Sequence, residues 1–444
     1  MNRVSARFAP DAESPGLGAA LELAALGLGL VLVTAAMTRL PSWYRELGSF
    51  QILYAAGFAF YATALIRLRR YAALPHAGVA VFAVAAACRL LLTPLAPSLS
   101  GDLYRYVWEG RVWLAGGNPY RQAPLDPTLV PLRDAAIYPF VNHPQLATIY
   151  PPLAQAGFAL VAWISPTVLA FKVWVALHDL ALAAVLGAWT SRERGSGAWA
   201  LAYAWNPLVL VEYAGSGHND PTAMLGLALA LALRERRPVL SSVAFAWGTL
   251  AKLAPLVALP FLWRDWPWRA RLAAATLLVP GLAWFVWQTH VSYSGLAVYW
   301  GTWRNNELLF LLFDRAFGSF RAARAVTLAL VMLVVAVAWW RRRPPASATR
   351  GGLWAALVTS PVVHPWYAGW VLMFEPLRVS APWIVFSLLL ALNYGFGRTP
   401  AEGRSFHPPL AWRWIEYGVP LVLAMFLAWR GRGRSPAGGE ADVP

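Results

Sequence analysis

Six short arginine clusters punctuate the chain: Arg67, Arg69, Arg70; Arg192, Arg194; Arg234, Arg236, Arg237; Arg264, Arg269, Arg271; Arg341, Arg342, Arg343; and Arg430, Arg432, Arg434. Between them lie apolar runs too long and too numerous for one soluble core, in a sequence of 444 residues that is 59% hydrophobic and 13% charged. Such a chain is expected to be an all-α polytopic membrane protein. A net charge of +16 raises nucleic acid as a partner. The arginines, however, are spread as short clusters between apolar runs, as topology signals are, so the expected surroundings are membrane lipids and no nucleic acid. Cys88 is the sole cysteine and sits in an apolar run, which excludes an intrachain disulfide framework or a thiolate zinc site.

Placing all six clusters on the cytoplasmic side threads the chain. The first apolar run, Leu17 to Met37, is longer than a signal-peptide core and has no convincing cleavage site, so it reads as a retained helix. Spans near 17–38, 50–66 and 75–93 leave the loop 94–150 outside the cytoplasm. The segment Pro151 to Ile164 is short of a full crossing and reads as re-entrant or interfacial. Further spans follow near 170–190, 197–214, 220–233, 238–251, 253–263, 272–289, 321–340, 351–363, 366–377, 381–397 and 413–430. Together these predict about 12 to 14 spans in one multi-pass domain over 1–430, with a disordered cytoplasmic tail at 431–444. No internal repeat is evident, which weighs against repeat-built transporters.

Under this topology the polar interruptions of the apolar sequence all fall at the outer ends of helices. Asp102 opens the segment 101–120, where Asp102, Tyr106, Glu109 and Trp113 share one helical face and Leu103, Val107, Gly110 and Leu114 another, so the segment is expected to lie flat on the bilayer. Gly217-His218-Asn219-Asp220-Pro221, Lys252, the loop from His290 to Glu307 and His364-Pro365-Trp366-Tyr367 join it on the same leaflet. Ionisable groups gathered there argue for a polar cavity. Asp102 reads as a general base whose basicity is raised by desolvation, or as an interfacial carboxylate paired with Arg105 or Arg111. Asn219 or Asp220 suits a helix N-cap ahead of Pro221, leaving His218 free to bond a sugar or phosphate. Lys252 reads as a snorkelling lysine that attracts a phosphate, with Arg304 as a second, bidentate contact. Trp366 and Tyr367 read as a sugar-stacking or interfacial aromatic set beside His364. His178 and Asp179, inside a span, read as an internal hydrogen-bonded pair, and His76, His143 and His407 as ordinary loop histidines. A divalent ion held by Asp102, His218, Asp220 and His364 is the lesser reading, because no close ligand spacing is present.

At these residues the chain resembles integral-membrane glycosyltransferases of the GT-C fold, and most closely the polyprenyl-phosphate-mannose-dependent group related to alpha-1,6-mannosyltransferases of mycobacterial type. The resemblance is carried by Asp102 with Arg105-Tyr106 and Gly110, by Gly117-Asn118-Pro119-Tyr120, by Tyr150-Pro151-Pro152-Leu153, by Gly217-His218-Asn219-Asp220, by Lys252 and by His364-Pro365-Trp366-Tyr367. It implies that loop 94–150 carries the catalytic carboxylate, which Asp102 matches. It also implies a lipid phosphosugar donor presented outside the cytoplasm and transfer with inversion. Two adjacent acidic residues are usual at that position, whereas here it reads Gly101-Asp102, which weakens a metal role and leaves a single base.

The reaction expected is transfer of a hexose, mannose foremost, from a polyprenyl-phosphate donor to a lipid or glycan hydroxyl, without a cofactor. Asp102 is the expected catalytic residue. Lys252 and Arg304 bind the donor phosphate, and Arg105, Tyr106, Glu109, His218, Asn219, Asp220, His364, Trp366 and Tyr367 bind substrate. The alternative is a flippase or transporter of a lipid-linked sugar, which calls for charge at mid-depth such as His178-Asp179.

Overall fold

The computed structural model describes residues 16–290, 294–396 and 408–432. Among them the fold is all helical, with one isolated parallel bridge between Asn305 and Val362. Helices Leu17–Met37 (α1), Leu47–Tyr71 (α2), Ala77–Leu92 (α3), Asp102–Leu114 (α4), Pro152–Ile164 (α5) and Val168–Arg194 (α6) form the first half. Asp220–Leu233, Pro238–Ala251, Trp268–Thr289, Phe320–Trp340, Pro345–Thr359, Ala381–Leu389 and Leu410–Arg432 are the principal later helices. Six helices are long and apolar enough to cross a bilayer: α1, α2, α6, Trp268–Thr289, Phe320–Trp340 and Leu410–Arg430. Their outward faces carry bare apolar side chains such as Ile52, Ile66, Met332, Trp340 and Trp429, which lipid tolerates and water does not. The chain is a membrane protein. His407 and the tail expected at 431–444 lie outside the described residues, apart from the end of the last helix.

Charge is segregated along the bundle. At one end Arg70 meets Glu22 at 3.2 Å, Arg194 donates to the Pro376 carbonyl at 2.7 Å, Arg350 pairs with Glu375 at 2.6 Å, and Arg264 reaches the Arg343 carbonyl at 3.4 Å. The first five arginine clusters named from the sequence lie at helix ends here, Arg192 donating to the Ala232 carbonyl at 3.4 Å and Arg234 meeting Asp265 at 4.0 Å. The opposite end receives the start of α4, the start of Asp220–Leu233 and the end of Pro238–Ala251, and with them Asp102, Asp220 and Lys252.

The run 201–228 is buried on every side and forms the axis of the bundle, as an all-round apolar segment must. It corrects the single span expected over 197–214. Pro207 cannot donate a backbone hydrogen bond, so the chain breaks at Asn206, whose side chain accepts from the Leu208 amide at 2.9 Å, and resumes as a π-helical turn, Leu210–Gly215. The spans expected over 253–263 and 366–377 also break into short turns, Ala254–Ala258 with Leu259–Asp265 and Pro365–Ala368 with Gly369–Leu372. Pro255 and Pro260 account for the interruption of the first, and Pro376 lies just beyond the last turn of the second. Two helices not expected, Gly295–Thr302 and Leu309–Phe317, lie between Thr289 and Phe320.

The amphipathic reading of the first loop is overturned. In α4, Leu103 and every residue from Arg105 to Gly110 are buried, because loop 119–150 folds over one side and α5 packs on the other. Close approach of α5 requires Gly110: a Cβ there would stand 2.4 Å from the Phe158 carbonyl oxygen and 2.7 Å from the Ala162 Cβ. Gly110→Ala is therefore expected to destabilise the protein by about 1–3 kcal/mol as α4 is pushed off α5. Thermal unfolding in detergent reads this, and an unchanged midpoint would mean that the two helices separate at no cost.

Asp179 does not pair with His178. Adjacent helical residues point about 100° apart. Asp179 instead holds Arg89 Nε at 2.7 Å and the Tyr203 hydroxyl at 2.7 Å, locking α3 and α6 to the axis, while His178 Nδ1 contacts the Trp174 carbonyl at 2.8 Å. Lys172, also buried, donates to the Leu92 and Leu95 carbonyls at 2.8 and 2.6 Å and so caps the end of α3.

Candidate active site

Asp102 occupies the first turn of α4, where the helix dipole favours a carboxylate. Its Oδ1 accepts from the Asn142 side chain at 2.5 Å. Asn142 is delivered by Arg105, whose guanidinium holds the carbonyls of Asn142 and His143 at 3.1 and 2.9 Å and the Glu109 carboxylate at 2.7 Å. Glu109 also accepts from Thr148 at 2.8 Å and from Gln155. Arg105 and Glu109 are thus turned into the protein, a correction to their expected place at the substrate: their polar atoms are engaged in folding the loop back over α4. Tyr106 is likewise buried, stacked on Phe158 at 4.6 Å.

His218 faces Asp102 from the axis. Gly217 has φ +82° and lies against Leu103, a combination only glycine meets, and this turn aims the imidazole between two carboxylates. Nδ1 is 3.5 Å from Asp102 Oδ2, and Nε2 is 3.2 Å from Glu212 Oε2, presented by the π-helical turn. These are ion-pair contacts whose geometry falls short of a hydrogen bond. Burial works to lower the pKa of His218, yet the two carboxylates lift it to about 9. Burial would raise that of Asp102, yet His218 outweighs it and holds the carboxyl below the ordinary aspartate range. This corrects two expectations: desolvation does not make Asp102 more basic, and His218, wholly buried, is not free to bond a sugar or phosphate.

The remaining wall comes from the second half. Trp366 is sandwiched between imidazoles, 3.6 Å from the His218 ring and 4.2 Å from His364, both nearly parallel. Burial lowers the pKa of His364 to about 3, with Asp102 opposing and the positive His218 and Lys252 assisting. The Asn305 amide nitrogen sits against its Nδ1, which places the ring proton on Nε2. The loop holding Asn305 is tied to the His364 segment by Asn305 N to Pro361 O at 2.9 Å and Val363 N to Asn305 O at 2.8 Å.

Lys252 does not snorkel. Its ammonium donates to Asp220 Oδ1 at 2.6 Å and lies 5.0 Å from the Tyr367 ring and 5.2 Å from Trp370, whose indole N–H shares the same carboxylate oxygen. Tyr367 exchanges a hydroxyl contact with Tyr299 at 3.1 Å. Asn219 stands at the N-cap position of Asp220–Leu233 without capping through its side chain, which accepts from Thr222 at 2.7 Å. Arg304 is held by Glu307 at 3.0 Å and Asp314 at 2.8 Å, and its Nη2 is buried without a hydrogen-bond partner.

Asp102, His218, Asp220, Lys252, His364, Trp366 and Tyr367 therefore converge, joined by Asn142, His143, Glu212, Tyr299, Asn305 and Trp370, which the sequence reading did not single out for this site. Of these, Glu212 carried a signal, a lone carboxylate in an apolar run. Side-chain exposure separates the roles: Asp102 keeps 20% and Lys252 23%, whereas Asp220 and His218 keep 1% each. Among the described residues no three His, Cys, Asp or Glu are arranged to hold a metal ion. A groove of about 730 Å³ lies at the arginine end, between 72–82 and 183–204, and its alanine- and glycine-rich lining offers little for catalysis.

Residues 16–267 match the family model described as alpha-(1->6)-mannopyranosyltransferase, N-terminal domain. No curated protein and no solved structure matches the chain. The matched range is more than half of the sequence and contains Asp102, Glu212, His218, Asp220 and Lys252, while the stretch beyond it completes the site with Tyr299, Asn305, His364, Trp366, Tyr367 and Trp370. By that match the chain belongs to the alpha-(1->6)-mannopyranosyltransferase family.

Proposed function

We propose that the protein transfers mannose, with inversion, from a polyprenyl-phosphate donor to a hydroxyl of a lipid or glycan on the extracytoplasmic face. The observation that carries this reading is Asp102: an ionised, partly exposed carboxylate beside a cation and an aromatic wall, at the bundle end opposite the arginine clusters. With those clusters cytoplasmic, and the shorter apolar helices such as Ala77–Leu92, Asp220–Leu233 and Pro238–Ala251 adding crossings to a GT-C type bundle, the site faces outward.

Asp102 accepts a hydrogen bond from the acceptor hydroxyl and orients its oxygen on the anomeric carbon. The new C–O bond forms as the anomeric C–O bond to phosphate breaks, the hydroxyl proton passes to Asp102 and on to water, and polyprenyl monophosphate departs. Because Asp102 is a weak base, proton transfer comes late, when the attacking oxygen has become acidic. Positioning and charge stabilisation at the leaving phosphate then supply the larger share of the rate. The sugar rests against Trp366 and Tyr367, with His364 Nε2–H as a neutral donor. No cofactor enters this scheme. The transporter reading called for charge at mid-depth, and Asp179 there is bound by Arg89 and Tyr203 with no exposure.

Purified protein incubated with radiolabelled polyprenyl-phosphate mannose and envelope lipid or glycan extracts is expected to transfer label from that donor and not from its glucose or arabinose counterparts. Transfer from a nucleotide sugar instead, or from no polyprenyl phosphosugar at all, overturns the proposal.

A further inference from the structure

With Arg304 neutralised, the site end of the bundle holds another arginine that no carboxylate among the described residues claims. Arg324 stands early in the helix Phe320–Trp340, with its guanidinium 4.5 Å over the Trp300 ring and 5.1 Å from Phe320. Its Nε and Nη1 are buried without a hydrogen-bond partner. Leaving charged donors covered and unanswered is costly, and an anion from outside would answer both of these.

Arg324 connects directly to the catalytic wall. Tyr299, adjacent to Trp300, lies within electrostatic reach of Arg324 on one side and of Asp220 and Asp102 on the other. Its hydroxyl meets that of Tyr367 at 3.1 Å, and the Tyr367 ring lies 5.0 Å from the Lys252 ammonium. Trp300, 57% exposed, presents bare apolar surface beside Arg324. An anion with a long apolar tail matches this arrangement: its head reached by Arg324 and, across the Tyr299–Tyr367 hydroxyl pair, by Lys252, its tail leaving over Trp300 toward lipid.

Resting on the glycosyl-transfer reading above, we propose that Arg324 binds the donor phosphate together with Lys252. The chemistry of the step makes this contact grow during reaction. The bound donor is a phosphodiester with one negative charge, and cleavage of the sugar–oxygen bond leaves a phosphomonoester approaching two. A planar guanidinium with free N–H groups holds the second state more tightly, so Arg324 acts on turnover as well as on binding.

The test measures binding of a long-chain prenyl monophosphate and of the matching prenyl alcohol to wild type, Arg324→Gln, Arg324→Lys and Lys252→Ala. Wild type is expected to prefer the phosphate. Arg324→Gln is expected to lose about 10- to 100-fold of phosphate affinity, with the alcohol unaffected and Arg324→Lys intermediate. Its thermal midpoint is expected to hold, since no hydrogen bond or ion pair among the described residues is lost and the glutamine amide can still lie on the Trp300 ring. Phosphate binding by Arg324→Gln equal to wild type, with loss confined to Lys252→Ala, overturns the role of Arg324 and leaves the lipid-phosphate donor standing. Equal loss of phosphate and alcohol with a lowered midpoint makes Arg324 structural and also overturns it. Wild type that does not distinguish phosphate from alcohol overturns the donor class itself.

Discussion

Asp102→Asn is expected to lower mannosyl transfer by about 10²- to 10⁴-fold while leaving prenyl monophosphate affinity unchanged. The substitution keeps the shape of the side chain and one oxygen able to accept from Asn142, so α4 and its loop stay in place. It removes the charge that orients the acceptor hydroxyl and receives its proton. Lys252 and Arg324 are untouched, which separates the acceptor side of the reaction from the donor side. The variant carries a second signature. In the wild type His218 is held protonated by Asp102 and Glu212 together, and losing one carboxylate lowers its pKa from about 9 toward its ordinary value. Single-turnover transfer, donor affinity and the pH dependence of thermal unfolding are the three measurements. A variant that transfers at the wild-type rate would remove Asp102 from the reaction and leave His364 as the group to examine.

Much of this architecture was legible in the sequence because charge and hydropathy report position in a bilayer. The first five arginine clusters and the polar interruptions separate to opposite ends of the bundle, and most of the apolar runs become helices. Asp102, His218, Lys252 and His364 meet as the motifs implied. What failed was the reading of each side chain's partners. Arg105 and Glu109 are four residues apart on one helix and pair with each other, so the same spacing that suggested a polar face produced an internal strut. Arg304 was read as free because Asp314, ten residues on, is brought back only by the helix Leu309–Phe317, which no sequence pattern predicted. The basicity assigned to Asp102 came from burial alone, and the opposing charge of His218 depends on the positive φ at Gly217, a backbone property. Segments of short span broke where proline removed a backbone donor, and there the sequence did carry the signal.

His218→Ala is expected to destabilise the folded protein by about 3–5 kcal/mol, because it strands buried charge. Glu212 is 1% exposed and its Oε2 has the imidazolium as its nearby countercharge. Asp102 loses the same cation, and Trp366 loses the ring stacked on it at 3.6 Å. If the cost is stranded charge and not a lost packing volume, then neutralising the partner must return part of it. His218→Ala with Glu212→Gln is expected to be more stable than His218→Ala alone, with a coupling of about 0.5–3 kcal/mol between the two sites. The pH dependence follows from the same pair. The pKa of His218 is raised from 6.5 to about 9 on folding, so its contribution to stability is complete below pH 6.5 and is lost as pH rises through 9. That of Asp102 is lowered below 3.8, so its contribution is present above that value and lost as pH falls beneath it. Wild-type stability is therefore expected to decline above pH 6.5, and this decline is expected to vanish in His218→Ala. Thermal unfolding in detergent from pH 5 to 10 reads both effects. A high-pH decline of the same size in the variant would mean that His218 is neutral in the folded protein, leaving Asp102 without the cation that keeps it ionised.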